Sequence, residues 1–504
     1  MVNIVSPIAA WARREPAAPA LACDDVSLTR VQLDAAAGAA ATALAAQGVT
    51  RGDRVACVGG ISAGWAVHAL GALRLGAVVV PINERLTARE VAQILHTTEP
   101  RVVLCDEQRA RTCADAVSAL EDAPVVTAIL GSLPPPSGVV PAGEVDVTRD
   151  DCALIVFTSG STGRPKGVPL THGAILEAFF EWVLQEPTLM RAHALNVTSL
   201  AFLGGLFNGF LAPLILGGRT TMLSTWDPAR ALAVLREEAI TSMASTTIFY
   251  EQMAALPAFG SSELPELRIA IAGGNPVSRR VLEDWQSRGV LLRQSYGLTE
   301  GCAVVSIPPP LIASEHLDSA GLGGILRQVA VIDSAGRPAA PGEPGEIAIK
   351  GAGLAREYYR NPEASAAEFV DGWLRTGDIG TIDESGLLRV VGRLKDIIIS
   401  GGLNIYAAEL ERTIACLAGV GEVAVIGVAD DRYGETPAAL VYGADDLTEV
   451  LVIAHCRREL AAYKAPRYVE FVEKPLPRTT LGKIDKGVLK ELYRDLPAQR
   501  AASA

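Results

Sequence analysis

The opening part of the chain alternates between helical and strand patterns. Residues 33–47 form an alanine-rich helical pattern that ends at Gly48, and residues 54–58 are apolar and of strand type. The same order repeats at once, with a helical pattern over residues 63–75 and a strand pattern over residues 77–81. Strands that alternate with helices predict a parallel sheet covered by helices on both faces.

The remainder of the chain divides into further regions by pattern. Residues 131–149 are rich in proline and glycine, and the β/α alternation resumes over residues 151–300. Short strands separated by turn residues follow over 320–392. A chain of 504 residues is too long for one hydrophobic core. We therefore expect an α/β fold in which residues 1–392 form a large N-terminal domain of two α/β sheet subdomains plus a small β-rich subdomain. A small, mobile α+β C-terminal domain is expected over residues 393–504.

Charge and cysteine usage limit the possible partners and compartments. The formal net charge is −12 at pH 7, which argues against a nucleic-acid partner. The eight cysteines are scattered and form no Cys-x-x-Cys pair, which favours a reducing cytoplasm and argues against a zinc site. The N-terminus shows no signal-peptide pattern. The apolar segment 201–218 is interrupted by glycine and proline, so we expect a buried core helix and strand there and no integral membrane span.

Residues 158–168 combine hydroxyl, glycine and lysine side chains in one short loop. An apolar strand pattern over residues 153–157 precedes the loop, and a helix start is expected near His172. Backbone N–H groups, hydroxyls and an ammonium in such a loop can surround phosphate oxygens. The NTPase loop requires Ser or Thr after its lysine, whereas Lys166 is followed by glycine. On composition alone, a flexible surface loop is an equal alternative.

Three later segments offer groups that suit a nucleotide. The glycines within 272–276 follow a strand pattern and allow a flat ring to approach the backbone. Residues 296–300 supply a tyrosine face for a base, a threonine hydroxyl for a phosphate and a glutamate oxygen for Mg²⁺. The carboxylate in Thr-Gly-Asp at 376–378 can accept both ribose hydroxyls. Each segment alone could equally be an ordinary turn.

The order of these segments resembles the adenylate-forming superfamily, which contains acyl-CoA synthetases, adenylation domains of peptide synthetases and luciferases. Residues 392–402 are similar to the family's interdomain hinge, and residues 477–484 to its C-terminal catalytic loop. The resemblance covers essentially the whole chain and is of the fatty-acid or aromatic-acid CoA ligase type. It implies that a carboxylic acid and ATP form an acyl-adenylate with release of pyrophosphate, and that the acyl group then passes to the thiol of coenzyme A. ATP, Mg²⁺ and coenzyme A are the implied cofactors.

The resemblance also implies a role for each residue that matches a family motif. Lys483, Thr299, Glu300 and Lys166 would be catalytic, and Thr158 and Glu300 would hold the metal. Lys395 would be the hinge pivot. The path of the coenzyme A thiol would pass Ser400, Gly401 and Gly402. The nucleotide would be bound by Thr158, Ser159, Gly160, Ser161, Thr162, Gly163, Lys166, Gly273, Gly274, Ser295, Tyr296, Gly297, Thr299, Asp378, Arg393 and Lys483.

The acyl pocket implied by the resemblance is mostly apolar, which predicts a hydrophobic acid. Its residues would be Phe202, Gly205, Phe249, Asn275 and Cys302. Many relatives carry histidine where Phe202 stands, so their aryl or fatty-acid specificity does not transfer directly. Ser295 stands where malonate-activating relatives carry arginine, which disfavours a dicarboxylic acid. We expect a medium- or long-chain fatty acid first, and an aromatic or alicyclic acid second.

Two alternatives of other kinds fit the same motifs. A free-standing adenylation enzyme that loads a separate carrier protein would look similar. A non-catalytic nucleotide-binding relative is the more remote alternative, because Lys483, Glu300, Asp378 and Lys166 are all present. The expected assembly is a monomer or a homodimer.

Overall fold

The computed structural model describes residues 3–134, 145–158, 165–275, 277–430, 432–443, 446–479 and 483–502. The chain forms two compact units, one made of Met1–Val329 with Ile349–Arg375 and the other of Ala330–Ala348 with Thr376–Ala504. The fold is mixed α/β with parallel sheets and a separate C-terminal unit, as expected. The domain boundary between residues 392 and 393 stays a prediction.

The secondary structure of the described residues is as follows. The α-helices are α1 Ser6–Arg14, α2 Arg30–Ala46, α3 Ala63–Arg74, α4 Ala88–Thr98, α5 Ala110–Val117, α6 His172–Gln185, α7 Ala212–Ile215, α8 Pro228–Glu237, α9 Thr247–Ala254, α10 Arg279–Gln286, α11 Pro310–Glu315, α12 Pro362–Glu368, α13 Ala407–Ala415, α14 Glu449–Glu459, α15 Lys486–Leu492 and α16 Leu496–Ala502. The strands are β1 Pro19–Cys23, β2 Val26–Thr29, β3 Arg54–Val58, β4 Val78–Ile82, β5 Val102–Cys105, β6 Val125–Ala128, β7 Cys152–Thr158, β8 Lys166–Thr171, β9 His193–Asn196, β10 Arg219–Met222, β11 Ser242–Thr246, β12 Ile269–Gly273, β13 Leu292–Gln294, β14 Tyr296–Leu298, β15 Ala303–Ser306, β16 Arg327–Ile332, β17 Gly345–Gly351, β18 Phe369–Val370, β19 Trp373–Ile382, β20 Leu388–Arg393, β21 Ile397–Ser400, β22 Leu403–Tyr406, β23 Val420–Asp430, β24 Gly434–Gly443 and β25 Tyr468–Phe471.

The first unit contains two large sheets. One has the strand order β6-β5-β3-β4-β7-β8 and is parallel up to β7. The other has the order β13-β12-β11-β9-β10-β1-β2 and is parallel apart from β2. The predicted strand over residues 54–58 is confirmed as β3, and the first two predicted helices correspond to α2 and α3. Parallel sheets gather ligands at the carboxyl ends of their strands, which is where β7 and β12 lead into the predicted motifs.

The chain inserts a strand between the predicted phosphate loop and the helix that follows it. Strand β8 pairs antiparallel with β7, so that Thr158 lies opposite Lys166. Strand β8 contains both buried and half-buried residues, which suits the edge of a sheet with one covered face. Helix α6 begins only at His172, where the Thr171 hydroxyl accepts a hydrogen bond from the Ala174 N–H at 3.0 Å. The motif is therefore a β-hairpin followed by a helix.

The apolar segment 201–218 is buried in helical structure, as expected. It contains a π-helix over Gly204–Leu211 that runs into α7, and strand β10 follows. Of the helices in the described residues, none combines the length and the apolar character needed to cross a bilayer.

The predicted β-rich region corresponds to strands β16 to β20. Strands β16, β17 and β19 each contain residues of both units. The rest of the second unit has a sheet in the order β22-β21-β24-β23, with β25 parallel to β24. Helices α13 and α14 cover this sheet around a core that includes Ile398, Leu410 and Val425.

Candidate active site

The β7–β8 hairpin places Thr158 and Lys166 side by side in the first unit. The Thr158 hydroxyl donates a hydrogen bond to the Lys166 carbonyl at 3.4 Å. The predicted phosphate-binding residues Ser159 to Gly163 lie outside the described residues. The hairpin therefore provides one hydroxyl and one ammonium at the two ends of the predicted phosphate loop.

The ammonium of Lys166 has two partners that the sequence did not suggest. It lies 2.5 Å from Glu368 Oε1 at the end of α12. It also lies 4.6 Å from the centre of the Tyr358 ring. An ion pair and a cation–π contact together define where this long side chain lies.

Glu300 belongs to the same group of residues. It lies on the short 3₁₀ turn Thr299–Gly301, and only 9% of its surface is exposed. The Tyr358 hydroxyl contacts Glu300 Oε1 at 2.8 Å and also contacts Glu368. Burial raises the pKa of Glu300, and burial together with the neighbouring carboxylates raises that of Tyr358. The structure thus brings the predicted residues Lys166 and Glu300 together through Tyr358 and Glu368.

The residues predicted to surround the base lie at the carboxyl end of β12. The Ser295 N–H donates to the Ala272 carbonyl at 2.8 Å. A Cβ at Gly273 would lie 2.9 Å from Ser295 Oγ, and one at Gly297 would lie 1.8 Å from the Ala303 carbonyl oxygen. Gly297 therefore requires glycine, because the backbone oxygen cannot move away, whereas at Gly273 only the Ser295 hydroxyl would have to rotate. Tyr296 is buried, and Gly274 has a left-handed φ of +84°.

The predicted acyl-pocket residues have different surroundings. A Cβ at Gly205 would lie 2.2 Å from the Thr198 carbonyl oxygen, so the π-helix packs directly on that backbone. Phe202 is half-buried. Asn275 accepts a hydrogen bond from the Thr247 hydroxyl through its carbonyl at 2.9 Å.

The other two predicted acyl-pocket residues pack into the protein. Phe249 lies edge-on to Trp226, with ring centres 4.5 Å apart. Cys302 is fully buried at a left-handed φ of +53°, and burial raises the pKa of its thiol to about 12. The Cys302 thiol is therefore an apolar packing group at physiological pH.

A buried arginine that the sequence did not mark supports the Glu300 loop. Arg327 is 3% exposed. Its guanidinium donates to the carbonyls of Gly301 at 3.0 Å and Val304 at 2.8 Å, on either side of Cys302. It also donates to the carbonyls of Ala352 and Gly353, at 2.7 and 3.2 Å. The guanidinium therefore joins the loop after Glu300 to the segment that leads to Tyr358.

The second unit gathers the remaining predicted nucleotide residues. Strand pairing places Asp378 opposite Arg393, and Arg393 Nε lies 3.2 Å from Asp378 Oδ1. Burial of Lys483, together with the positive charges of Arg393 and Lys395, lowers the pKa of Lys483 to about 8, while Asp378 opposes the change. These four side chains therefore form one electrostatic cluster.

The predicted thiol path lies on the β21–β22 hairpin of the same unit. Gly401 and Gly402 form its turn with left-handed φ values of +58° and +80°. The Gly401 N–H donates to the Tyr433 carbonyl at 2.8 Å, and Ser400 pairs with Gly434 on β24. Glycine is the residue that adopts such a turn without strain.

The sequence of the chain matches the family model described as AMP-binding enzyme over residues 8–359, and that of the AMP-binding enzyme C-terminal domain over residues 409–483. The chain belongs to the AMP-binding enzyme family. A feruloyl-CoA synthase from an Amycolatopsis species is 35% identical over 486 residues, which cover 96% of this chain and 97% of that protein. The long-chain-fatty-acid–CoA ligase FadD13 of Mycobacterium tuberculosis is 36% identical over 475 residues, which cover 93% and 94%.

Solved structures agree with this family. ATP-bound MatB from Rhodopseudomonas palustris is similar, with a TM-score of 0.88 and 28% identity over 98% of this chain and 99% of that one. This AMP-binding enzyme is an acid–CoA ligase, which forms an acyl-adenylate from a carboxylic acid and ATP and uses Mg²⁺ and coenzyme A.

The residues of the first unit fit a magnesium ion. Mg²⁺ takes oxygen ligands and is usually held by one or two carboxylates together with substrate phosphates. Glu300 supplies a buried carboxylate and Thr158 a half-buried hydroxyl. Within the described ranges, no group of three or more His, Cys, Asp or Glu residues forms an all-protein metal cage. The protein therefore offers a few oxygen ligands, as in sites where nucleotide phosphates complete the coordination of Mg²⁺.

Proposed function

We infer that this ligase activates a hydrophobic acid, with a medium- or long-chain fatty acid as the first candidate. The observation that carries this proposal is the π-helix Gly204–Leu211, which is apolar apart from Asn208. A Cβ at Gly204 would meet only the Thr198 methyl group at 3.8 Å, so this glycine leaves room beside the proposed acyl pocket, whereas Gly205 and Gly209 pack against Thr198 and Asn196. Small-molecule sites with mostly apolar walls favour apolar ligands. The similarity to the long-chain-fatty-acid–CoA ligase FadD13 supports an aliphatic chain.

An aromatic or alicyclic acid is the second candidate. The feruloyl-CoA synthase is about as similar to this chain as FadD13. Phe202 is half-buried at the proposed pocket, and an aromatic side chain there offers a ring for a second ring to stack on.

The proposed first half-reaction is attack of the acid's carboxylate on the α-phosphorus of ATP, with pyrophosphate as the leaving group. Negative charge builds on phosphate oxygens, so the protein acts by positioning and by electrostatic stabilisation. We assign that stabilisation to Lys166 and Lys483, and assign the cradle of the leaving group to Thr158 with the loop of Ser159–Gly163. Glu300 and Thr158 would hold Mg²⁺, which would supply further positive charge for the phosphates.

The remaining nucleotide contacts follow from the family motifs. Tyr296 stacks on adenine between the glycines at 273, 274 and 297, beside Ser295. Thr299 contacts the α-phosphate, and Asp378 and Arg393 bind the ribose. The proximity of Asp378 and Arg393, at 3.2 Å, supports a shared ribose site.

The proposed second half-reaction is attack of the coenzyme A thiol on the acyl-adenylate, with AMP as the leaving group. In this proposal residues 393–504 turn about Lys395, which lies on the short turn Leu394–Asp396. Ser400, Gly401 and Gly402 then line the path of the thiol. The enzyme is proposed to work in the cytoplasm as a monomer or homodimer.

A substrate panel tests the proposed function. Pyrophosphate release with Mg²⁺-ATP is measured for straight-chain, branched, alicyclic and aromatic acids, each with and without coenzyme A. We expect the highest kcat/KM for a medium- or long-chain acid, together with an equal amount of acyl-CoA. A preference for aromatic acids would select the second candidate. Acyl-adenylate that accumulates without transfer to coenzyme A would favour a carrier protein as the acceptor.

A further inference from the structure

Glu368 joins two parts of the proposed active site that are far apart in sequence. It is the last residue of α12, and its two carboxylate oxygens have different partners. Oε1 lies 2.5 Å from the Lys166 ammonium, and Oε2 is hydrogen-bonded to the Tyr358 hydroxyl. The same hydroxyl lies 2.8 Å from Glu300 Oε1. One carboxylate therefore connects the proposed phosphate-binding lysine to the proposed metal-binding glutamate.

The connection is partly shielded from water. The Lys166 and Glu368 side chains are 14% and 31% exposed, and Tyr358 is 3% exposed. A charge-assisted hydrogen bond in such a setting is stronger than one at a fully exposed surface. A lysine side chain has many rotamers, so an ion pair on one side and an aromatic ring on another restrict it to a small region.

The segment that carries Tyr358 and Glu368 is itself firmly held. The Tyr358 N–H donates to the Ser365 hydroxyl at 2.8 Å, and this hydroxyl donates to the Asn361 carbonyl at 2.7 Å. The Asn361 side chain caps α12 by accepting the Ala364 N–H at 3.1 Å. The Tyr358 ring packs edge-on against Phe369, with ring centres 5.5 Å apart. The two positioning groups therefore sit on a rigid support.

We propose that Glu368 and Tyr358 are positioning residues, which hold the Lys166 ammonium and the Glu300 carboxylate in the arrangement that receives the pyrophosphate part of Mg²⁺-ATP. This inference rests on the roles proposed above for Lys166 and Glu300. Glu368 acts through Lys166, and Tyr358 acts through Glu300. A ligand without β- and γ-phosphates does not depend on this arrangement.

The test compares the affinities of ATP and AMP, each titrated in the presence of Mg²⁺ but without acid. In Glu368→Gln the side chain keeps its shape and loses its charge, so we expect the Kd for ATP to rise about tenfold, as for the loss of one charge-assisted hydrogen bond. The Kd for AMP should stay within about twofold of wild type, since AMP makes no contact that Lys166 governs. Tyr358→Phe removes only the hydroxyl and should also weaken ATP more than AMP. If Glu368 and Tyr358 only stabilised the fold, the variants would bind both ATP and AMP more weakly and would have a lower Tm.

Glu363→Gln is the matched control, because Glu363 is an exposed acid on the same helix. It should leave both affinities and Tm unchanged. Lys166→Met separates this inference from the proposed function. If Lys166→Met does not weaken ATP, the proposed role of Lys166 is wrong. If Lys166→Met weakens ATP but Glu368→Gln binds ATP as tightly as wild type, or more tightly, the positioning role of Glu368 is overturned. The double variant should bind ATP no more weakly than Lys166→Met alone.

Discussion

The low pKa of Lys483 predicts that adenylate formation is lost as the pH rises through about 8. The ordinary value is 10.5, and burial, Arg393 and Lys395 lower it while Asp378 opposes them. The drop corresponds to roughly 3 kcal/mol against the ammonium in the folded protein. The charged form is the one that stabilises phosphate oxygens, so activity belongs to the low-pH side of this titration.

The size of the expected fall in activity follows from the titration of Lys483 alone. With a pKa of about 8, Lys483 is about 90% protonated at pH 7 and about 10% protonated at pH 9. We expect kcat/KM for ATP to fall by about tenfold between pH 7 and pH 9, because this ratio reports the pKa of the free enzyme. The assay is the initial rate of pyrophosphate release at low ATP and saturating acid. Neither the acid's carboxylate, with a pKa near 4 to 5, nor arginine titrates in that window.

Two variants of the Lys483 cluster sharpen this prediction. The Lys483→Arg variant keeps a positive charge at every pH tested, so its kcat/KM for ATP should not fall near pH 8, even though kcat/KM is lower than in the wild type. Asp378→Asn removes the negative charge that favours the Lys483 ammonium, so the fall in kcat/KM for ATP should move to lower pH. A wild-type kcat/KM that is flat from pH 7 to pH 9.5, or the same decline in Lys483→Arg, would show that Lys483 does not titrate in this window.

Three further substitutions test other parts of the structure. Arg327→Leu removes a buried guanidinium that donates to four backbone carbonyls, so the free energy of unfolding should fall by about 3–5 kcal/mol. In a denaturant titration, a loss of less than about 1 kcal/mol would be inconsistent with these four hydrogen bonds. Gly205→Ala places a methyl group 2.2 Å from the Thr198 carbonyl oxygen, so the π-helix must shift. KM for the acid should then rise several-fold relative to KM for ATP, whereas equal changes in both KM values would argue against an acyl pocket at Gly205. Gly401→Ala adds about 1–2 kcal/mol of backbone strain at the left-handed φ of +58°, which should distort the turn of the β21–β22 hairpin. Acyl-CoA formation should therefore slow, while pyrophosphate release in the first turnover stays as in the wild type. An equal loss in both steps would contradict the assignment of the thiol path.

Much of the fold follows from local patterns. The predicted strand over 54–58 is β3, and the helices around it begin and end within a few residues of their predicted bounds, because apolar periodicity and terminal glycines are local signals. Strand β8 was not predicted. Its pattern, Lys166–Thr171, contains a proline and is short, and it becomes a strand only because β7 offers an edge for antiparallel pairing.

The candidate site was predicted less completely than the fold. Glycine-rich and charged motifs marked Lys166, Glu300 and Lys483, because these residue types in that order are specific. Tyr358 and Glu368 escaped notice, since 202 residues separate Glu368 from Lys166 and nothing near α12 marks it locally. A half-buried lysine needs a counter-charge, and that requirement is the one physical signal that points to a missing partner.

We conclude that one chain makes an acyl-adenylate and transfers its acyl group to coenzyme A. A single-turnover reaction with enzyme, Mg²⁺-ATP and the preferred acid, quenched before and after addition of coenzyme A and resolved by mass spectrometry, tests it most directly. We expect acyl-adenylate and pyrophosphate before the addition, and then acyl-CoA and AMP in equal amounts. Formation of ADP and phosphate, or acyl-CoA without an adenylate intermediate, would contradict it.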